Sequence, residues 1–137
     1  MAVDAIAVAD ALGAAIKARS IAQIGAVYAD DIVVWHGATG SAGTKSENMG
    51  LLGAVFQLSS QLEYRNVRRH LIDGGIVQQH QLVGTFADGK PMPTLEACLV
   101  IKIREGRIAR IDEYFDGNTY AEVWARLEAL NDPKSNG

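Results

Sequence analysis

Four extended runs in succession constrain this chain more than anything else in it. Leu62 to Ile72, Ile76 to Phe86, Leu95 to Arg104 and Arg107 to Phe115 are punctuated by Gly74-Gly75, Asp88-Gly89 and Glu105-Gly106. Dipeptides of this kind mark tight turns, so consecutive strands fold back on one another as an antiparallel meander. A meander must bury one face, and the segments around it supply the cover.

Those segments read as helices about a single further strand. Val3, Ile6, Ala7, Leu12, Ala15 and Ile16 recur at helical spacing, with Asp4 and Asp10 turned to water. Ser20 and Gln23 have capping-box spacing and start a short helix through Ile21, Ile24, Val27 and Tyr28. Asp30 and Asp31 end it, and Ile32 to Trp35 favour an extended chain that terminates in His36. Gly37 to Gly43 follows as a glycine-rich segment, either a lid or a plain loop. Thr44 with Glu47 caps a helix bearing Met49, Leu52, Val55 and Phe56 on one face. Thr119 with Glu122 does the same for a closing helix with Tyr120, Val123, Trp124, Leu127 and Leu130.

The order is helix, helix, strand, helix, four strands, helix. It predicts an α+β fold in which helices pack on a curved, mostly antiparallel sheet to make a cone-shaped α+β barrel. Residues 1–130 form one domain and residues 131–137 a flexible C-terminal tail, because 137 residues are enough for one core and too few for two. A cone leaves a cavity, and an apolar lining with a few polar groups is the usual form of a small-molecule site.

Charge and cysteine content exclude several classes. With a net charge of -3 and arginines dispersed among acids, no surface for tracking nucleic acid is expected. The single cysteine, Cys98, rules out an internal disulfide and the common zinc-finger patterns, and it sits with no local base. No phosphate loop, Gly-x-Ser-x-Gly elbow or dinucleotide fingerprint is present. Acids stand where a secretory signal needs basic residues, and no apolar run approaches membrane-spanning length. A cytoplasmic protein with no membrane partner is the expectation.

The candidate chemistry lies on strands. His36 ends an apolar strand, where it either bonds a neighbouring carbonyl or delivers a near-neutral titrating group to the cavity. Alternation in the last strand puts Glu113 with Ala109, Ile111 and Phe115, opposite Ile108, Arg110, Asp112 and Tyr114. A carboxylate on that more apolar side requires a hydrogen bond or a raised pKa, whether it serves a structural or a catalytic end. His80 shares parity with Ile76, Gln78 and Leu82, and both faces of that strand are equally apolar. His36, His80 and Glu113 together would make an acid-base set, with Tyr28 or Tyr114 as phenolic donors or as core and rim residues. The same three side chains could hold a metal, but they lack metal-type spacing, and none is expected. Trp35 faces away from His36, toward core or an interface, and Arg65, Arg68, Arg69 and His70 read as a solvated or dimer-facing surface.

Tyr28-Ala-Asp-Asp31 before the first strand, Arg104-Glu-Gly-Arg-Ile108 between the last two and Asp112-Glu-Tyr-Phe-Asp116 at the end resemble the nuclear transport factor 2-like superfamily, in its SnoaL-like branch. The resemblance covers nearly the whole chain and implies the cone fold, a homodimer and no cofactor. It does not choose a reaction, since the superfamily includes ketosteroid isomerase, polyketide cyclases, dehydratases, epoxide hydrolases, lyases and plain carriers. The isomerase's catalytic aspartate falls on His36, its oxyanion-hole tyrosine on Leu12, and the protonated aspartic acid of that hole near Cys98 or Leu99. Both donors are therefore missing. Against the epoxide hydrolase, Glu113 takes the catalytic aspartate's place, His36 an asparagine's and Val34 a tyrosine's, while Gln78 to Gln81 lacks the arginine-carboxylate clamp. The combined expectation is an isomerase or lyase that moves protons on a small apolar, cyclic or aromatic oxygenated molecule. His36, Glu113 and His80 would be catalytic, and Tyr28, Val34, Gln78, Tyr114, Leu12 and Phe56 would touch the substrate. The rival expectation is a non-catalytic carrier.

Overall fold

Alanine dominates the first helix. In α1 (Ala5–Ala18) the sequence AIAVADALGAAIKA combines high helix propensity with one buried stripe, Val8, Ala9, Leu12, Ala15 and Ile16. The computed structural model describes residues 5–131. Arg19 ends the helix with φ 48°, and its guanidinium donates to the carbonyls of Phe56 and Ser59, tying the turn to a distant segment.

Ser20 caps α2 (Ile21–Val27), its hydroxyl accepting from the Gln23 N–H at 3.1 Å. The return bond from the Gln23 side chain, which a full box needs, is not among the hydrogen bonds of the described residues. The strand β1 (Tyr28–His36) then begins at Tyr28, ahead of the two aspartates expected to end the helix, so Asp30 and Asp31 lie inside it. Burial of Tyr28 decides this, because its ring enters the core and its hydroxyl donates to Asn48 Oδ1 at 2.7 Å. The two exposed aspartates are paired instead, Asp30 with Lys45 and Asp31 with Arg104. Lys45 Nζ also donates to the Gly25 and Tyr28 carbonyls at 3.0 Å each, closing the end of α2.

Gly37 to Gly43 is neither lid nor plain loop. It turns at residues 37–40 and returns as β2 (Ser41–Gly43), antiparallel to β1. Gly37 donates its N–H to the Glu113 carbonyl at 2.7 Å, and a Cβ there would stand 3.0 Å from the Tyr114 ring and 3.1 Å from that carbonyl oxygen. Close backbone approach favours glycine at this point. The Thr44–Glu47 capping box forms in full ahead of α3 (Lys45–Leu58).

The meander follows as β3 (Ser59–Ile72), β4 (Gly75–Phe86), β5 (Leu95–Arg104) and β6 (Arg107–Phe115), each antiparallel to the next. The β3–β4 turn is Asp73-Gly74, and Gly75 already belongs to the strand. The sheet order is β2-β1-β6-β5-β4-β3, with β1 and β6 parallel. Register shifts within β1 and β3 increase the bend. The sheet curls over the helices without closing, so the cone is an open one and not a barrel.

The third expected capping box does not form. Thr119 donates its hydroxyl to Asp116 Oδ2, a charged acceptor, before α4 (Ala121–Asn131) starts, and Glu122 pairs with Arg126. Tyr120, Val123 and Leu127 press this helix onto the core. Of the tail expected at residues 131–137, everything after Asn131 lies outside the described residues, as do Val3 and Asp4. Among the described residues no helix is long and apolar enough to cross a membrane.

Candidate functional site

Parallel pairing of β1 with β6 sets His36 directly beside Glu113 in register, although 77 positions separate them in the chain. Alternation turns both side chains to the concave face of the sheet, where Val34 and Ile111 precede them and Phe115 follows. There they border a cavity of about 100 Å³ between sheet and helices. Its walls are Leu12 and Ile16 from α1, Leu51, Leu52 and Val55 from α3, Leu82, Leu95 and Leu99 from the sheet, and Trp124 from α4. A larger groove of about 520 Å³ runs outside, between the end of α1 and the β3–β4 edge, and shares no residue with this cavity.

A few polar groups interrupt an otherwise apolar lining. His36 Nδ1 and Glu113 Oε1 are 3.1 Å apart, with side chains 19% and 29% exposed. This hydrogen bond raises the His36 pKa above its ordinary value, against the opposing effect of burial. When the ring is neutral, Nδ1–H donates to the carboxylate, and Nε2 keeps its lone pair for an incoming proton.

Three tyrosines share the cavity with this pair. Tyr28, Tyr64 and Tyr120 all have phenols held well above their usual pKa, first by burial and then by the charge of Glu113. Each is therefore a protonated hydroxyl at any physiological pH. The Tyr28 hydroxyl is committed to Asn48. Tyr120 is 4% exposed, and its hydroxyl has no hydrogen-bond partner among the described residues.

His80 does not join them. It faces the concave side but lies 3% exposed beneath Tyr64, the rings stacked at 3.7 Å, and it is Tyr64 that lines the cavity. Arg69 can only donate, so its Nε bond of 2.9 Å fixes the Gln78 oxygen toward it and the Gln78 amide nitrogen toward His80 Nδ1, also at 2.9 Å. Nδ1 thus accepts, and the neutral ring carries its proton on Nε2. Burial, helped by the Arg69 charge, lowers the His80 pKa to about 4. The expected His/His/carboxylate cluster is not assembled, and among the described residues no group of three or more His, Cys, Asp or Glu side chains is placed to hold a metal ion.

Of the expected substrate contacts, Tyr28, Val34 and Leu12 line the cavity, whereas Gln78, Tyr114 and Phe56 do not. Gln78 is fully buried in the Arg69–His80 chain. Tyr114, of opposite parity to Glu113, is 47% exposed on the outer face and meets the edge of Trp35 at 5.5 Å. Phe56 packs in the core, and α3 offers Asn48, Leu51, Leu52 and Val55 to the cavity in its place. Arg69 folds inward to Asp10 and Gln78 and leaves the solvated surface expected for it. Asn48, Tyr64, Tyr120 and Trp124 were not legible as site residues, because their spacing is equally that of core or helix stripe.

A family model described as SnoaL-like domain matches residues 9–111. No curated protein matches the chain. Among solved structures, a protein of ketosteroid isomerase-like fold from Catenulispora acidiphila, in complex with trimethylamine, is 13% identical with a TM-score of 0.71, over 82% of this chain and 88% of that one. A candidate polyketide cyclase from Pseudomonas putida is 17% identical with a TM-score of 0.70, over 84% and 93%. An M. tuberculosis epoxide hydrolase of the LEH-like kind is 18% identical with a TM-score of 0.66, over 93% and 95%. At these identities the likeness is one of fold.

Proposed function

The chain belongs to the SnoaL-like domain family, and we propose that it is a cofactor-independent isomerase or lyase acting by proton transfer on a small, mostly apolar oxygenated molecule in the cone cavity. The observation that carries this reading is the His36–Glu113 pair, hydrogen-bonded at 3.1 Å on the border of an apolar cavity. Glu113 fixes the tautomer and stabilises the imidazolium once His36 has taken a proton from a carbon next to an oxygen-bearing carbon. Positioned bases of this kind contribute roughly 10²–10⁴-fold to rate. The cavity volume of about 100 Å³, below the roughly 150 Å³ of a cavity that binds benzene, favours a substrate part smaller than a six-membered ring. Epoxide hydrolysis is less favoured, because Gln78 and His80 are tied up with Arg69 and offer no arginine-carboxylate clamp at the cavity.

Hydrogen-deuterium exchange at carbon tests the proposal without knowledge of the natural substrate. Small ketones such as acetone and cyclobutanone are incubated with the protein in D2O and followed by NMR. Exchange next to the carbonyl should exceed the buffer rate and fall by about 10²-fold or more in His36→Ala. Exchange no faster than buffer, or equal in the variant, would sink the catalytic reading. The mainly apolar lining favours a second reading, a small-molecule carrier, which would bind these ketones and return them without deuterium.

A further inference from the structure

The Tyr120 hydroxyl is the buried side-chain polar atom left without a partner among the described residues. A buried, unpaired hydroxyl destabilises a fold, and phenylalanine would fill the same space without that cost. Tyr120 immediately precedes α4 and lines the cavity, with its ring against Phe115 and Trp124, which line it too. Glu113, on the same cavity wall, is near enough for its charge to act on the phenol but makes no hydrogen bond to it. The positions at which the resemblance places oxyanion donors hold Leu12, Cys98 and Leu99, whose side chains offer no comparable donor.

We infer that Tyr120 is the donor that receives the substrate's oxygen, and that this oxygen is a carbonyl. The inference rests on the proton-transfer reading and deepens it. A hydroxyl-bearing ligand could give its proton to the Glu113 carboxylate, whereas a carbonyl can only accept and needs a donor. When His36 takes the neighbouring carbon's proton, the C–H electron pair moves into the new C=C bond and the carbonyl pair onto oxygen, which Tyr120 stabilises. This donor comes from the turn that leads into the closing helix, not from the first helix or the sheet.

Cyclobutanone and methylenecyclobutane, equal in shape, small enough for the cavity and differing in the acceptor oxygen, serve as probes for wild type and Tyr120→Phe. The ketone should bind the variant about 3- to 10-fold more weakly, while the hydrocarbon binds both equally. The carbonyl stretching band of the bound ketone should lie at lower wavenumber in wild type than in the variant. Tm should be unchanged or higher in Tyr120→Phe. Equal weakening for both probes, an unshifted band, a lower Tm, or no ketone binding by wild type would each overturn the assignment. If ketone binding depends on Tyr120 and no deuterium exchange occurs, the carbonyl site stands and catalysis falls. If exchange proceeds and Tyr120→Phe alters neither binding nor band, the assignment alone falls.

Discussion

Replacing Glu113 with glutamine keeps the shape of the side chain and removes the charge that His36 faces. The native carboxylate holds the imidazole above its ordinary pKa through a hydrogen bond of 3.1 Å, with burial opposing. Because the folded-state pKa is the raised one, this stabilisation is fully present below the unfolded value, near 6.5, and is lost as pH rises through the raised value. The two side chains are 19% and 29% exposed, so solvent partly screens them. That places the pair at the low end of the roughly 1.5–3 kcal/mol of hydrogen bonds to charged groups. In a chain of 137 residues such a loss lowers Tm by about 4–7 °C at pH 5.5, with a smaller difference at pH 9. NMR titration of the histidine rings supplies the direct assay. The His36 midpoint should fall in Glu113→Gln, while His80 stays near 4, since burial and Arg69 hold it there. Wherever turnover is measured, the rise of rate with pH should move to lower pH in the variant, as the base form becomes available earlier. A His36 midpoint that does not move, or a Tm difference larger at pH 9 than at pH 5.5, would refute the coupling.

Three further substitutions probe the scaffold around the site. Thr44→Ala removes the complete capping box of α3 and should cost about 1 kcal/mol in urea unfolding with the m-value unchanged. Arg69→Leu leaves the Gln78 oxygen buried and unpaired, for a loss of about 1–3 kcal/mol, and raises the His80 midpoint from about 4 by removing a nearby positive charge. Gly75→Ala drives a Cβ into the Ile101 carbonyl, a backbone group that cannot rotate away, and should destabilise by about 1–3 kcal/mol or more, read as a lowered Tm.

Local signals sufficed wherever a few neighbouring residues held the whole argument. The four-strand meander, the Thr44–Glu47 box and the parity that sets Glu113 opposite Tyr114 all depend on spacings of two to four residues, and all are present. Local signals failed where another partner took the group the spacing had assigned. Asp116, three residues before Thr119 as Glu122 is three after it, draws the Thr119 hydroxyl away from its capping role, and the core draws Tyr28 into the strand ahead of the two aspartates. His80 shows the limit for the site, because its strand is apolar on both faces and only the stacking of Tyr64 and the reach of Arg69 decide that it is buried and neutral.

Sequence by itself determined the α+β class, the four-strand meander, and the candidacy of His36 and Glu113, since periodicity, turn chemistry and the presence of a titrating group on an apolar strand are properties of short stretches. Tertiary structure alone decided that β1 lies parallel to β6, that His36 therefore meets Glu113 across 77 positions, and that phenols from β1, β3 and the turn before α4 share one cavity. A parallel pairing between a strand before the meander and its last strand has no local signature, because it is set by which buried faces the helices and the curved sheet must cover together.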